Sequence, residues 1–257
     1  MSLFDMDGKT AVITGSTKGI GKAIAERLAE HGANIVISSR KEDACAAVAE
    51  EINAKWAKAG NKAVPVPCNI GRKEQLQALT DKSLEAFGRI DVLVCNAAVN
   101  PYFGPSKDIP DSAFDRIMES NIRSNFWLCN MVLPQMVERK DGSIIIVSSI
   151  GGLRGNTTLG AYGISKAADM QLARMLAVEY GPHNIRANAI APGLVRTDFA
   201  RALWEDPENL KRRTATTPLR RIGEPDEIAG VAVMLASAAG SFITGQTLIV
   251  DGGSLVG

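Results

Sequence analysis

The sequence predicts an α/β fold: one domain over residues 1–257, built on a doubly wound parallel sheet of about seven strands with helices on both faces. Three observations predict it. Short apolar runs alternate with helix-period segments almost from end to end, and repeated β-α alternation gives a parallel sheet joined by right-handed crossovers. The length of 257 residues suits one large domain, and no linker-like, repetitive or low-complexity stretch divides it. A glycine-rich turn stands between the first apolar run and the first helical stripe.

Each element has its own signal. TAVIT (10–14) is a compact apolar run, and Ile20, Ile24 and Leu28 then mark one face of a helix over 20–31. NIVISS (34–39) is rich in the β-branched residues that strands favour. The Ala-rich, charged segment 41–60 reads as a helix stopped by Gly60. AVPVPC (63–68) is a strand whose two prolines call for an edge position. A helix over 72–87 ends at Gly88, and DVLVC (91–95), apolar on both faces, is a central strand. A long helix is expected over 112–138. SIIIVSS (143–149) is the clearest strand and ends on Ser149. Helix 160–180, strand NIRANAIA (184–191), helix 226–237 and strand QTLIV (246–250) complete the alternation. Residues 198–223, polar and broken by Pro207 and Pro218, read as a helical lid or loop near the active site, since long insertions in compact domains are often functional.

Composition narrows the function. With 46% hydrophobic and 22% charged residues and a net charge of +1, the chain is an ordinary globular protein. The densest basic clusters, 211–213 and 220–221, read as solvated faces, so no nucleic-acid partner is expected. The four cysteines form no C-x-x-C, which speaks against a zinc or disulfide framework, and no metal is expected. Cys68 and Cys95 read as small core residues at strand ends. No signal peptide, membrane span or peroxisomal tail is evident, so the expected home is the cytoplasm, with no membrane partner.

The turn TGSTKGIG (14–21) follows the first strand. Gly15 permits a tight turn; Gly19 and Gly21 let backbone and helix approach a pyrophosphate at the helix N-terminus. The spacing is G-x-x-x-G-x-G rather than the general G-x-G-x-x-G. The end of the second strand should meet the adenosine ribose. There the chain reads Ser38-Ser39-Arg40-Lys41, with no carboxylate to bind ribose hydroxyls and repel a 2′-phosphate. Arg40 offers a planar donor fork for phosphate and Lys18 a second positive charge. These residues favour NADP(H) over NAD(H).

In YGISK (162–166), a spacing of four puts Tyr162 and Lys166 on one helix face. A free tyrosine has a pKa of about 10, and a nearby ammonium lowers it toward useful proton exchange. Ser149 stands at the carboxyl edge of the sheet, where its hydroxyl could hold a carbonyl oxygen. Ser148 competes for that role, because adjacent strand residues face opposite sides.

Taken together, the motifs resemble the classical short-chain dehydrogenases/reductases, with a Rossmann fold, over nearly the whole length. The matching pieces are TGSTKGIG (14–21), the NAA of CNAA (95–98), Asn121, Ser149 thirteen residues before Tyr162, YGISK (162–166), and PG with Thr197 in APGLVRT (191–197). The resemblance implies that Ser149, Tyr162 and Lys166 carry catalysis and that Asn121 supports a water-linked proton relay. It implies cofactor contacts from Gly15, Ser16, Thr17, Lys18, Gly19, Ile20 and Gly21, from Ser39 and Arg40, and from Asn69 and Ile70. Further contacts are implied from Asn96, Ala97 and Ala98, from Tyr162 and Lys166, and from Pro192, Gly193, Val195 and Thr197. Asn69 stands where an aspartate is usual, and its amide oxygen can accept the same adenine hydrogen bond. NAAVNPYFG (96–104), IVSSIGG (146–152), Leu203-Trp204 and RRIGEP (220–225) resemble the NADPH-dependent retinol dehydrogenase and carbonyl reductase branch. That branch is known from animal peroxisomes and acts on lipophilic and aromatic ketones, diketones, quinones and retinal. Tyr102, Phe103, Leu153 and Trp204, with Ser149, would rim a lipophilic substrate pocket. A homotetramer is implied, through helices 112–138 and 160–180 and the tail 248–257. The alternatives are a 3-oxoacyl-thioester reductase of the same family and a non-catalytic dinucleotide sensor; the aromatic loop leans away from the first and the intact Ser-Tyr-Lys set from the second.

Overall fold

The architecture is that of a computed structural model, which describes residues 2–57 and 60–257. Seven parallel strands form one sheet in the order β3-β2-β1-β4-β5-β6-β7. They are β1 (Thr10–Thr14), β2 (Asn34–Ser38), β3 (Ala63–Pro65), β4 (Val92–Cys95), β5 (Gly142–Val147), β6 (Ile185–Pro192) and β7 (Thr247–Val250). Alternate strand residues point to opposite faces, and the sequence uses both. Ile13, Ile35, Ile37, Val94 and Ile145 pack on one face with α1 (Gly19–Glu30) and α2 (Glu42–Trp56). Val12, Val36, Leu93, Ile144 and Ile146 pack on the other with α3 (Lys73–Phe87).

Between β4 and β5 run α4 (Asp111–Met118), a π-helical turn at Glu119–Arg123, and α5 (Ser124–Arg139). The single helix expected over 112–138 is therefore interrupted, and its register shifts at Asn121. Helix α6 (Gly160–Tyr180) packs beside α5's face of the sheet. Two short helices, α7 (Arg201–Trp204) and α8 (Pro207–Thr214), occupy the irregular stretch before α9 (Pro225–Ala236). Pro207 opens α8 rather than breaking it, because the first helical position needs no N–H. Helix α9 joins α1 on the first face.

Two boundaries differ from expectation for physical reasons. Helix α2 ends at Trp56, four residues before Gly60; positions 58 and 59 lie outside the described residues. Regular strand β3 stops at Pro65, yet Val66 and Cys68 still donate to Ile37 O and Ser39 O at 2.8 and 2.9 Å. The prolines fall where no inward donor is needed, on the edge strand. No described helix is long and apolar enough to cross a membrane.

The chain runs outward from β1 to β3 and then returns to β4 on the other side of β1. That reversal opens a crevice beyond the carboxyl ends of β1 and β4, where open α/β sheets take their ligands. Asn96 pins its rim: Asn96 Nδ2 donates to Thr14 O and Gly15 O at 2.9 and 3.1 Å. The Asn96 and Ala97 N–H groups donate to Thr14 Oγ1 at 3.0 and 3.1 Å.

Candidate active site

The crevice begins at the glycine turn. Gly15 takes φ +67°, a conformation open to glycine. A Cβ on Gly21 would run into the Gly15 carbonyl and the Asn96 amide. Ser16 faces inward: its hydroxyl donates to Ile13 O at 2.8 Å and accepts from Ser38 N–H at 2.8 Å, tying the turn to β2. The N-terminus of α1 is left bare. Lys18 at its cap makes no side-chain capping bond, and the first turn holds no acid. Unpaired helix N–H groups behind a side-chain-free turn fit a pyrophosphate, so these residues fit a dinucleotide.

At the end of β2, Ser39 packs against Cys45, and the exposed Arg40 makes no ion pair among the described residues. Lys18 is engaged: its ammonium lies 3.3 Å from Asp198, which also pairs with Arg201. Both partners hold the Asp198 carboxyl below the usual carboxylate range. Asn69 is exposed, and its Oδ1 accepts from Gly71 N–H at 3.1 Å, with one lone pair left over. Ile70 turns toward the second core.

Beyond β6, Pro192 ends the strand, and Gly193 N–H donates to Val250 O at 2.9 Å. Val195 is buried and bridges to Gly223. Thr197 caps the turn 198–200, and its methyl approaches the site where a Cβ on Gly19 would stand, at 3.1 Å. Residues 192–197 thus close the crevice over the start of α1. Ala97 and Ala98 continue the opposite wall after β4, with Ala97 against Gly15.

The chemical cluster lies at the mouth of β5. The regular strand stops at Val147, two residues before Ser149. Freed from the ladder, Ser149 caps the next turn, its Oγ accepting from Gly151 N–H at 3.0 Å. It also lies close enough to Tyr162 to favour the phenolate. Ser148 points the other way: its hydroxyl is buried and donates to Lys166 O at 2.7 Å. Tyr162 and Lys166 share a face of α6, with the ammonium 5.7 Å from the phenol ring centre.

Sequence reasoning expects Lys166 to bring the Tyr162 pKa down. In the folded chain the phenol instead lies above its ordinary value. Loss of water around it is the largest cause; the Lys166 charge and the nearby Ser149 hydroxyl oppose it, and Asp169 adds to it. Asp169 was not anticipated. It is fully buried, one turn beyond Lys166, and accepts from Lys166 Nζ at 2.8 Å. Its signal in the sequence is a carboxylate on the helix face that it shares with Lys166, Ala173 and Leu176. Asn121 is buried within the π-helical turn. Its Oδ1 accepts from Val99 N–H at 2.9 Å, and its Nδ2 donates to Val99 O and Ser165 Oγ at 3.1 and 3.0 Å. The side chain therefore braces the loop after β4 against α6.

Of the expected substrate rim, Phe103 and Leu153 are exposed. Tyr102 is held within its own loop, its hydroxyl donating to Pro105 O at 3.0 Å. Trp204 is half-buried: its Nε1 donates to Thr197 O at 3.1 Å and Arg196 stacks on its ring. Phe199, also missed from the sequence, brings its ring to 6.1 Å from that of Tyr162. It lies within the stretch expected to act as a lid, and its signal in the sequence was an aromatic two residues after Thr197.

A family model described as enoyl-(acyl carrier protein) reductase matches residues 15–254. The chain is 41% identical over 250 residues, 97% of its length and 88% of the relative's, to dehydrogenase/reductase SDR family member 4 of Bos taurus. It is 39% identical to the Homo sapiens protein of the same name, over 96% of the chain and 87% of the relative. Among solved structures, a 7α-hydroxysteroid dehydrogenase complexed with NADH and 7-oxo glycochenodeoxycholic acid superposes with a TM-score of 0.92 at 37% identity, covering 98% of this chain and 96% of that one. A gluconate 5-dehydrogenase of Burkholderia cenocepacia in complex with NADP and tartrate gives 0.93 at 33% identity, covering 99% and 98%. A bare phosphate turn at a sheet reversal, a serine, tyrosine and lysine at the mouth of β5 and α6, and relatives matched nearly end to end lead to one family: the chain belongs to the short-chain dehydrogenases/reductases and is an oxidoreductase of CH–OH groups.

Proposed function

We propose that the chain uses NADP(H) to interconvert carbonyl and alcohol groups on lipophilic or aromatic ketones, diketones or aldehydes, as a cytoplasmic homotetramer. The observation that carries the chemistry is the cluster of Ser149, Tyr162 and Lys166 beside the bare phosphate turn. The bound nicotinamide supplies hydride chemistry. Ser149 orients the substrate oxygen, and Tyr162 protonates it as charge develops there. Lys166 opposes the cost of phenolate charge on Tyr162 in a site poor in water. Asn121 supports proton resupply by bracing the loop after β4 against α6.

The NADP preference is supported by Arg40, exposed and unpaired at the end of β2 with no carboxylate beside it. The exposed Phe103, Leu153 and Phe199 support a lipophilic substrate, as does the steroid ketone held by a structural neighbour. Buried free thiols at all four cysteines accord with a reducing compartment.

The test follows NADPH and NADH oxidation by the purified protein against lipophilic ketones, diketones, quinones, retinal, a keto-acid and an acetoacetyl thioester. The expected result is turnover with NADPH on lipophilic carbonyls, cut by about a thousandfold or more in Tyr162→Phe. Preference for NADH would overturn the cofactor reading, and turnover confined to the thioester or keto-acid would overturn the substrate reading. Cofactor binding with no turnover on any carbonyl would overturn the proposal.

A further inference from the structure

Helix α6 carries a second charge beside the reacting group. Asp169 and Lys166 are both almost wholly buried. Asp169 Oδ2 accepts from Lys166 Nζ at 2.8 Å, and Asp169 Oδ1 accepts from Asn125 Nδ2 at 3.0 Å. Asn125 Nδ2 also donates to Asn121 O at 2.6 Å, which ties it to the π-helical turn. Lys166 Nζ donates in addition to Val147 O at 3.0 Å, at the last residue of β5. Two of the three ammonium protons are thereby assigned, and the head group cannot swing freely.

A lone ammonium this deep in the protein sheds its proton, and a lone carboxylate gains one. Together they form a pair without net charge, and their attraction offsets the cost of burial where further hydrogen bonds satisfy both groups, as Val147 O and Asn125 Nδ2 do here. The neighbours supply no other counter-charge. From β4 comes Cys95, whose thiol the neighbouring Cys129 of α5 and burial keep protonated. From α5 come Asn125 and Cys129, from β5 the Val147 carbonyl, from the turn after it the Ser149 hydroxyl, and from α6 Tyr162 itself. Asp169 is the one ion-pair partner of Lys166 among the described residues.

We infer that Asp169 is a positioning residue for Lys166: with Asn125 as its anchor, it holds the lysine protonated and fixed beside Tyr162, so that Tyr162 reacts in the field of a buried ion pair. The inference rests on the reading of Tyr162 as proton donor, but its first consequence concerns Lys166 alone. Asp169 acts on Tyr162 in two opposed ways. Its own charge disfavours the phenolate, and by keeping Lys166 charged it preserves the larger, favourable influence.

The experiment is a pH titration of the full-length protein, without cofactor, carrying 13Cε-lysine, with the Lys166 resonance assigned by its loss in Lys166→Met. In the wild type Lys166 stays protonated throughout the pH range in which the fold persists. In Asp169→Asn its midpoint falls by about two pH units or more below the ordinary lysine value. Asn125→Ala keeps the ion pair, lowers the midpoint by less, and decides the question should Asp169→Asn fail to fold. A Lys166 that keeps the wild-type titration in the folded variants overturns the inference. The pH profile of carbonyl reduction is the second readout: Asp169→Asn falls away from the wild type as pH rises through the new lysine midpoint. An unchanged profile overturns the link to Tyr162. Absence of turnover in the wild type overturns the dehydrogenase reading and leaves the lysine titration standing.

Discussion

Arg40 illustrates how much one side chain can decide. It stands exposed at the end of β2, with no carboxylate to neutralise it. A charge-assisted hydrogen bond contributes about 1.5–3 kcal/mol, so Arg40→Ala should raise the KM for NADPH by roughly ten- to a hundredfold and leave that for NADH nearly unchanged. Steady-state kinetics with both cofactors check this; equal effects would remove Arg40 from the discrimination. Lys18→Ala should do less, because its ammonium is already shared with Asp198. At this scale the sequence was most informative where spacing carries meaning. Tyr162 and Lys166 share a helix face because four residues make about one turn, and that much could be read in advance. The choice of Ser149 over Ser148 came from the resemblance alone, because in physical terms it depends on where β5 leaves its ladder. Asp169 escaped notice because its role comes from burial and from Asn125, which the chain brings to it from 44 residues away.

Helix α9 shows the same economy one level up. Its start is a capping box: the Glu224 side chain accepts from the backbone at Glu227, and the Glu227 carboxylate accepts from Glu224 N–H at 2.8 Å. Arg221 grips the same carboxylate at 2.6 and 2.7 Å. Hydrogen bonds from Arg221 and from the backbone pull the Glu227 pKa from 4.5 down to about 2. A carboxyl depressed by folding stabilises the fold above its unfolded value, and that contribution is lost as pH falls through the folded one. The wild type should therefore melt above Glu227→Gln at neutral pH, and the gap should close between about pH 4.5 and 2. Thermal unfolding of both proteins across that window checks it; a gap independent of pH would assign the effect to packing. The helix itself was legible, as 226–237, from its place in the β-α alternation. The interruption of 112–138 was not, because a π-helical turn leaves the apolar pattern nearly intact while adding a residue to one turn.

Across the whole molecule, large apolar side chains remain in the open. Phe126 on α5, Ile164 and Val178 on α6, and Phe242, Ile249 and Val256 near the carboxyl end are exposed. Exposed apolar side chains of this size mark protein contacts where they gather, and all of these but Phe242, six residues short of the tail 248–257, fall on the segments through which the proposed tetramer would form. Covering a phenylalanine contributes about 2 kcal/mol per copy, so Phe242→Asp and Val178→Glu should shift the assembly toward dimers or monomers. Sedimentation velocity reads this directly; an unchanged mass in both variants would move the interface elsewhere. The sheet order, by contrast, was only partly legible: alternation implied parallel strands, whereas the reversal between β1 and β4 is a tertiary fact. That reversal has a consequence for the newly made chain. The phosphate turn is complete in sequence by Gly21, yet it is locked by Asn96, whose backbone bond to Thr14 spans 82 residues. A chain still emerging from the ribosome has the turn without its lock, so it cannot take up a dinucleotide until β4 is out and paired. Cofactor capture then reports that β4 has paired beside β1.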